Sequence, residues 1–232
     1  MTEVKSDTLP PSTSTSDAEV TEPKTKKMKS TPMPQAPESE WPEAWIMPNA
    51  VEDQKALNKL EPNEPVTPEM MKELGVAFWK MDAESFTYPV KSVPWDPKDS
   101  MDPRLSQIRD DRGYSYADII TVHPDHLPGY EEKVKSFFEE HIHDAEEIRY
   151  ILGGSGFFDV RDKEDRWIRV HIKKGDLMTL PEGIYHRFTT DETDMIHAMR
   201  LFIGQPVWTP FNRPCEDHPS RKKFVEGIVS KE

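Results

Sequence analysis

The chain has 232 residues, a formal net charge of −13, 31% charged and 35% hydrophobic residues, and a single cysteine. The acidic excess argues against a nucleic-acid surface, which needs clustered positive charge, and the lone Cys215 excludes an intrachain disulfide and suits a reducing compartment. No apolar run approaches the roughly 18 residues of a membrane span and no signal-peptide pattern opens the chain, so the sequence reads as a soluble, intracellular protein.

Residues 1–40 hold 13 Ser/Thr and 6 Pro, and no aromatic residue stands before Trp41. Such a segment has too little apolar surface to offset chain entropy and is expected to be a disordered tail, with the folded domain over 41–232. Within it, PKTKKMK (Pro23 to Lys29) resembles a short basic nuclear-import signal, the plain alternative being a solvated charge run. The expected location is therefore cytoplasmic, with the nucleus as the second candidate.

Three helices are predicted next. Thr67-Pro68 reads as an N-cap followed by proline in the first turn, with Gly75 as the stop. Asp102-Pro103 repeats the device, with Leu105 and Ile108 on one face and Gly113 at the end. The third runs from Tyr130 to about Glu139 and buries Val134, Phe137 and Phe138. From Ile148 onward the texture is β: EIRYIL, GFFDVRD, RWIRVHI, DLMTL, YHRFTT and MIHAMRLFIG follow one another between turn residues. In RWIRVHI, Ile168, Val170 and Ile172 take one face while Trp167, Arg169 and His171 take a polar-looking one. GGSG (Gly153 to Gly156) is expected to be a hairpin turn. Many short strands at this spacing indicate a closed or sandwiched antiparallel architecture.

The stretch EEHIHDAEEIRY, residues 139–150, carries the chemistry. On a helix, His141 and His143 would point about 200° apart and could not share an ion; on a strand they face one side. Glu147 has the same parity, provided no bulge intervenes, whereas Asp144 and Glu146 point away. His186 stands 39 residues after Glu147, behind a Pro-Glu-Gly turn, and an antiparallel neighbour could bring it across the interior. Three imidazoles and a carboxylate suit Fe(II), Ni(II), Co(II), Mn(II) or Zn(II), and in an octahedral ion leave two positions for a bidentate oxygen chelate; zinc could instead close as a tetrahedral structural site. Arg149 shares the parity of Glu147, where it would neutralise an anionic ligand or pair with acidic neighbours. Arg200 sits among apolar residues in MIHAMRLFIG, a costly place for a cation without a partner. Phe188 has the parity of His186 and suits an apolar wall. His123, His126, His171, His197 and His218 lack partners at ligand spacing and read as structural or exposed.

Taken together, HIHDAEEIRYILGGSGFFDVRDKEDRWIRV, KKGDLMTLPEGIYHRF and AMRLFIGQPVWTPFNRP closely resemble the acireductone dioxygenases of the cupin superfamily, over roughly residues 41–215. The resemblance implies a mainly β fold, a cupin double-stranded β-helix with short helices outside it. It places the four metal ligands on His141, His143, Glu147 and His186, and the substrate pocket on Arg149, Arg200, Phe137 and Phe188. It further implies one Fe(II) per chain, with Ni(II) or Co(II) as the alternative metal, and acireductone and dioxygen as the partners. No nucleic acid or membrane insertion is expected. The chain is expected to be a monomer, with protein partners through the tail or surface left open. Two alternatives stand beside this: another cupin metalloenzyme, and a non-catalytic metal-binding nuclear regulator.

Overall fold

The computed structural model describes residues 31–84, 102–206 and 209–230. A unit at Met1–Thr31 separates from a second at Pro32–Glu232, and the first, import-like segment included, lies outside the described residues up to Thr31. The second unit begins before Trp41. Ala36 N–H donates to the Phe78 carbonyl (3.0 Å), Gln35 Oε1 accepts from Phe78 N–H (3.2 Å), and Trp79 Nε1 donates to the Met33 carbonyl (3.3 Å). Residues 33–36 are thus tied by hydrogen bonds to residues 78 and 79, which composition does not report.

After a single 3₁₀ turn at Glu38–Glu40, the elements in chain order are β1 (Ala44–Met47), α1 (Pro68–Glu73), β2 (Ala77–Lys80), α2 (Pro103–Arg112), β3 (Tyr116–Val122), α3 (Tyr130–Phe137), β4 (His141–Ile142), β5 (Glu147–Arg161), β6 (Trp167–Lys173), β7 (Asp176–Leu180), β8 (His186–Thr190), β9 (Ile196–Phe202), β10 (Phe211–Asn212) and α4 (Pro219–Val229). The caps fall where the sequence puts them. Thr67 accepts from Met70 N–H, Asp102 accepts from Arg104 N–H, and Gly113 ends α2 in the left-handed conformation at φ 75°. Leu105 and Ile108 are buried as expected. In α3, Val134 is buried but Phe137 and the capping Phe138 are only half-buried: Phe137 lines a cavity, and Phe138 lies under the Arg187 guanidinium at 3.9 Å.

One strand organises the rest. β5 is 15 residues long and its N-terminal half pairs with β7 and β9, while its C-terminal half pairs with β6 and β8. Two antiparallel sheets therefore share it, in the orders β10-β4-β8-β5-β6-β1 and β2-β7-β5-β9-β3. The apolar faces of the two sheets close on one core that includes Ile151, Phe158, Val160, Ile168, Val170 and Ile172. This is the double-stranded β-helix expected of a cupin, with its helices outside.

GGSG is not a hairpin turn: it lies inside β5, where the strand crosses from one sheet to the other. The register slips between Ile151 and Gly153, and Gly154 takes φ +71°. A Cβ at Gly154 would stand 2.0 Å from the Met195 carbonyl oxygen, and one at Gly156 would stand 2.7 Å from that of Thr189. The glycines mark a bulge and close backbone approach rather than a chain reversal.

The second face of β6 also departs from its polar look. Trp167 and Arg169 are fully buried, because β1 and the segment after it cover them. Arg169 is satisfied there by Asp159, at 2.7 and 2.9 Å, and by the Gln54 carbonyl at 3.0 Å, and Arg187 shares the same carboxylate at 2.8 Å.

Gly154→Ala should destabilise the protein by at least about 2 kcal/mol, since a side chain at positive φ costs about 1–3 kcal/mol before any overlap is counted. Urea unfolding checks this; an unchanged midpoint would mean that the bend does not need glycine.

Candidate metal centre

Three imidazoles meet at one end of the barrel. His141 on β4 is the cross-strand partner of His186 on β8, and His143 follows directly after β4. Ring centroids are 4.5 Å apart for His141–His186, 4.9 Å for His141–His143 and 5.4 Å for His143–His186. One nitrogen from each ring lies within 4.8 Å of the others, a spacing that could hold one metal ion.

Each Nδ1 faces a backbone carbonyl: His141 that of Glu139 (2.6 Å), His143 that of Thr209 (3.3 Å), and His186 that of Ile184 (3.0 Å). A carbonyl only accepts, so Nδ1 carries the proton and Nε2 keeps its lone pair, the form a metal takes. His186 Nε2 is buried and has no hydrogen-bond partner among the described residues. Burial pushes the His186 pKa down to about 3, helped by the neighbouring His141, and burial likewise lowers that of His141. An orphaned buried acceptor inside an imidazole cluster fits a cation that arrives from outside.

Glu147 stands beside His143, outside the set of three imidazoles whose ligand atoms lie within 4.8 Å of one another. β4 ends at Ile142, and a turn over 143–146 separates it from β5, so the three side chains do not lie along one continuous strand. The carboxylate still arrives, with Oε2 3.8 Å from His143 Nε2, while Oε1 pairs with Arg149 Nη2. Burial alone would raise the Glu147 pKa, but Arg149 and the imidazoles bring it down to about 2. Asp144 and Glu146 point elsewhere, to Ser220 and to Arg112 with Tyr114.

Arg149 and Arg200 are cross-strand neighbours on β5 and β9, and Asp118 on β3 is opposite Arg200 in turn. Asp118 grips Arg200 through two contacts of 2.7 Å. Sequence reasoning did not find Asp118, although its signal was present: a carboxylate inside the apolar run YADIITV is the partner that an arginine inside an apolar strand requires. Phe188 stacks near Phe137 (6.3 Å between centroids) and Phe158 (5.1 Å). The two arginines and the three phenylalanines line a cavity of about 510 Å³ whose wall includes all eight residues singled out from the sequence. Its remaining lining is largely apolar, with Ile120, Val122, Ile151, Ile196 and Ala198, and Lys133 adds a further cation.

The other histidines stand apart from this cluster. His197 Nδ1 pairs with Thr121 Oγ1 (2.7 Å), His171 Nε2 lies 3.4 Å from Asp191, and His123 and His126 stack on each other.

A bent antiparallel barrel that carries an imidazole cluster at the edge of an apolar cavity defines a metal-binding protein of the cupin class. Residues 43–210 match the model of the ARD/ARD' family. The acireductone dioxygenase of Gallus gallus is 52% identical over 187 residues, covering 81% of this chain and 97% of the relative. Acireductone dioxygenase 4 of Arabidopsis thaliana is 50% identical over 189 residues, covering 82% and 94%. The solved acireductone dioxygenase from Bacillus anthracis, with a cadmium ion in its active center, shares the fold at a TM-score of 0.54 and 22% identity, covering 74% of this chain and 98% of that one. The chain belongs to the ARD/ARD' family and is an oxygenase.

The low His186 pKa sets a pH dependence for the metal-free chain. Its folded value, about 3, lies below the ordinary 6.5, so the unfolded chain binds the extra proton and stability is lost as pH falls from about 6.5 toward 3. His186→Gln should flatten that slope by up to one proton, about 1.4 kcal/mol per pH unit. Urea titrations at several pH values check this, and equal slopes in the two proteins would contradict it.

Proposed function

We propose that this chain cleaves the acireductone 1,2-dihydroxy-3-keto-5-methylthiopentene with dioxygen, as a step of methionine salvage. With Fe(II) the products are formate and 4-methylthio-2-oxobutanoate. With Ni(II) or Co(II) they are formate, carbon monoxide and 3-methylthiopropanoate. The observation that carries this reading is the joining, in one apolar cavity, of three imidazoles whose Nδ1 atoms face backbone carbonyls, a carboxylate and two arginines. Family membership supplies the substrate class.

In this reading His141, His143, Glu147 and His186 hold the ion. When bound, the metal supplies Lewis-acid stabilisation of the two enediolate oxygens. The chain's own groups do the rest. Arg149 and Arg200 stabilise the negative charge of the enediolate and favour its ionisation, acting in a cavity where water does not screen them. Asp118 holds Arg200 in place for this role. Phe137, Phe158 and Phe188 exclude water and offer an apolar surface to the methylthio end of the substrate. The anion that results is electron-rich toward dioxygen, whose two atoms end in the cleaved fragments. We place the enzyme in the cytoplasm, and no helix among the described residues is long and apolar enough to cross a membrane.

Anaerobic purification, metal removal and product analysis with each metal added back test the reaction. Formate should appear with every active metal, and carbon monoxide only with Ni(II) or Co(II). His186→Ala should lose most bound metal and activity while the barrel stays folded; full activity with stoichiometric Fe(II) would remove His186 from the ligand set. Arg200→Met should lower kcat/KM by about 10²-fold or more, the usual cost of one charge-stabilising group. An unchanged rate would return Arg200 to a structural role.

A further inference from the structure

The two turns that present His143 and His186 are not held by the barrel ladder alone. β4 has only two residues, so His143 sits beyond its end, and His186 opens β8 three residues after Gly183 of the Pro181-Glu182-Gly183 turn. α4 lies against both turns. Ser220, buried in its first turn, donates through Oγ to Asp144 Oδ1 (2.7 Å), one residue after His143. His218 Nδ1 stands 3.4 Å from the same oxygen. Arg221 Nη1 donates to the Gly183 carbonyl (3.3 Å), and its guanidinium lies 4.4 Å from the centre of the Tyr185 ring, next to His186.

The turns are also tied to each other. Gly183 N–H donates to the His143 carbonyl (3.1 Å). Gly183 has φ +80°, and a Cβ there would stand 2.1 Å from the Ser220 carbonyl oxygen, so turn and helix meet backbone to backbone. Phe224 and Ile228, further along α4, pack against the main core and anchor the helix. All of α4 lies beyond the residues 43–210 that the family model matches.

We propose that α4 is a positioning element for the metal centre: through Ser220–Asp144 and the Ser220–Gly183 backbone contact it fixes the His143 and His186 turns relative to each other. This rests on the reading of those histidines as ligands. Contacts that orient ligand side chains typically carry about 10- to 100-fold in metal affinity. The hydrogen bond to Asp144 acts one residue from the ligand, beside the Gly183–His143 backbone bond that ties the two turns.

The test uses the full-length, metal-free chain and Co(II), followed by calorimetry and by the visible absorption of the bound ion, with thermal midpoints taken on the same metal-free samples. Ser220→Ala and Asp144→Ala should each weaken Co(II) binding by about 10-fold. Asp144→Asn keeps an acceptor oxygen for Ser220 without the charge, and should hold the affinity and the absorption spectrum of the unmodified chain. Lys222→Ala, which removes only an exposed pair with Asp217, should change nothing. Undiminished affinity in Ser220→Ala and Asp144→Ala, with or without a lower thermal midpoint, would make α4 a stabilising helix only and overturn the proposal. So would an Asp144→Asn variant as weak as Asp144→Ala, because charge and not the hydrogen bond would then be responsible. Should Ser220→Ala fail to fold, the Asp144 pair still decides. An unmodified chain that binds no Co(II) would sink the ligand assignment itself, and this inference with it.

Discussion

Three backbone carbonyls, at Glu139, Ile184 and Thr209, face the Nδ1 atoms of the three clustered imidazoles. That constraint decides the tautomer, the ring orientation and the side from which a cation can be met. Burial then keeps His186 and His141 neutral. Each arginine of the cavity has a carboxylate partner, Arg149 with Glu147 and Arg200 with Asp118, and Lys133 adds one further cation. A divalent ion and a dianionic guest that enter together offset each other's charge in an apolar chamber, which is where uncompensated charge is most costly.

The architecture that permits this is a single strand serving two sheets. β5 starts at Glu147, carries Arg149 beside Arg200 in one sheet, bends at Gly154, and then presents Phe158 and Val160 opposite Phe188 and His186 in the other. The polar end and the apolar wall of the cavity are thus set by one continuous backbone. The bulge, with its register slip between Ile151 and Gly153, is what lets a 15-residue strand turn far enough to do both.

Much of this was legible in the sequence, wherever a local rule governs. Capping residues at Thr67, Asp102 and Gly113 mark helix ends because the end groups of a helix need partners nearby in the chain. The alternation in RWIRVHI reports the Ile168, Val170, Ile172 face because that face meets the core. The spacing of His141, His143 and His186 around turn residues indicated a shared ion. What was not legible depends on contacts distant in sequence. The outer face of β6 looks polar but is covered by chain from residues 45–56, and Arg169 is buried because Asp159 and the Gln54 carbonyl are there to meet it. GGSG has the composition of a turn, and only the Met195 and Thr189 carbonyls opposite it reveal why it is a bulge. The His143–Glu147 segment leaves the extended state after Ile142, so the continuous strand on which the parity of Glu147 was reckoned is not there.

The most direct test of the account is X-ray absorption at the metal edge of protein loaded anaerobically with one Fe(II) per chain. The account predicts the multiple scattering of three imidazoles together with oxygen donors in a mononuclear site. Scattering from sulfur, from a second metal atom, or from no imidazole at all would contradict it.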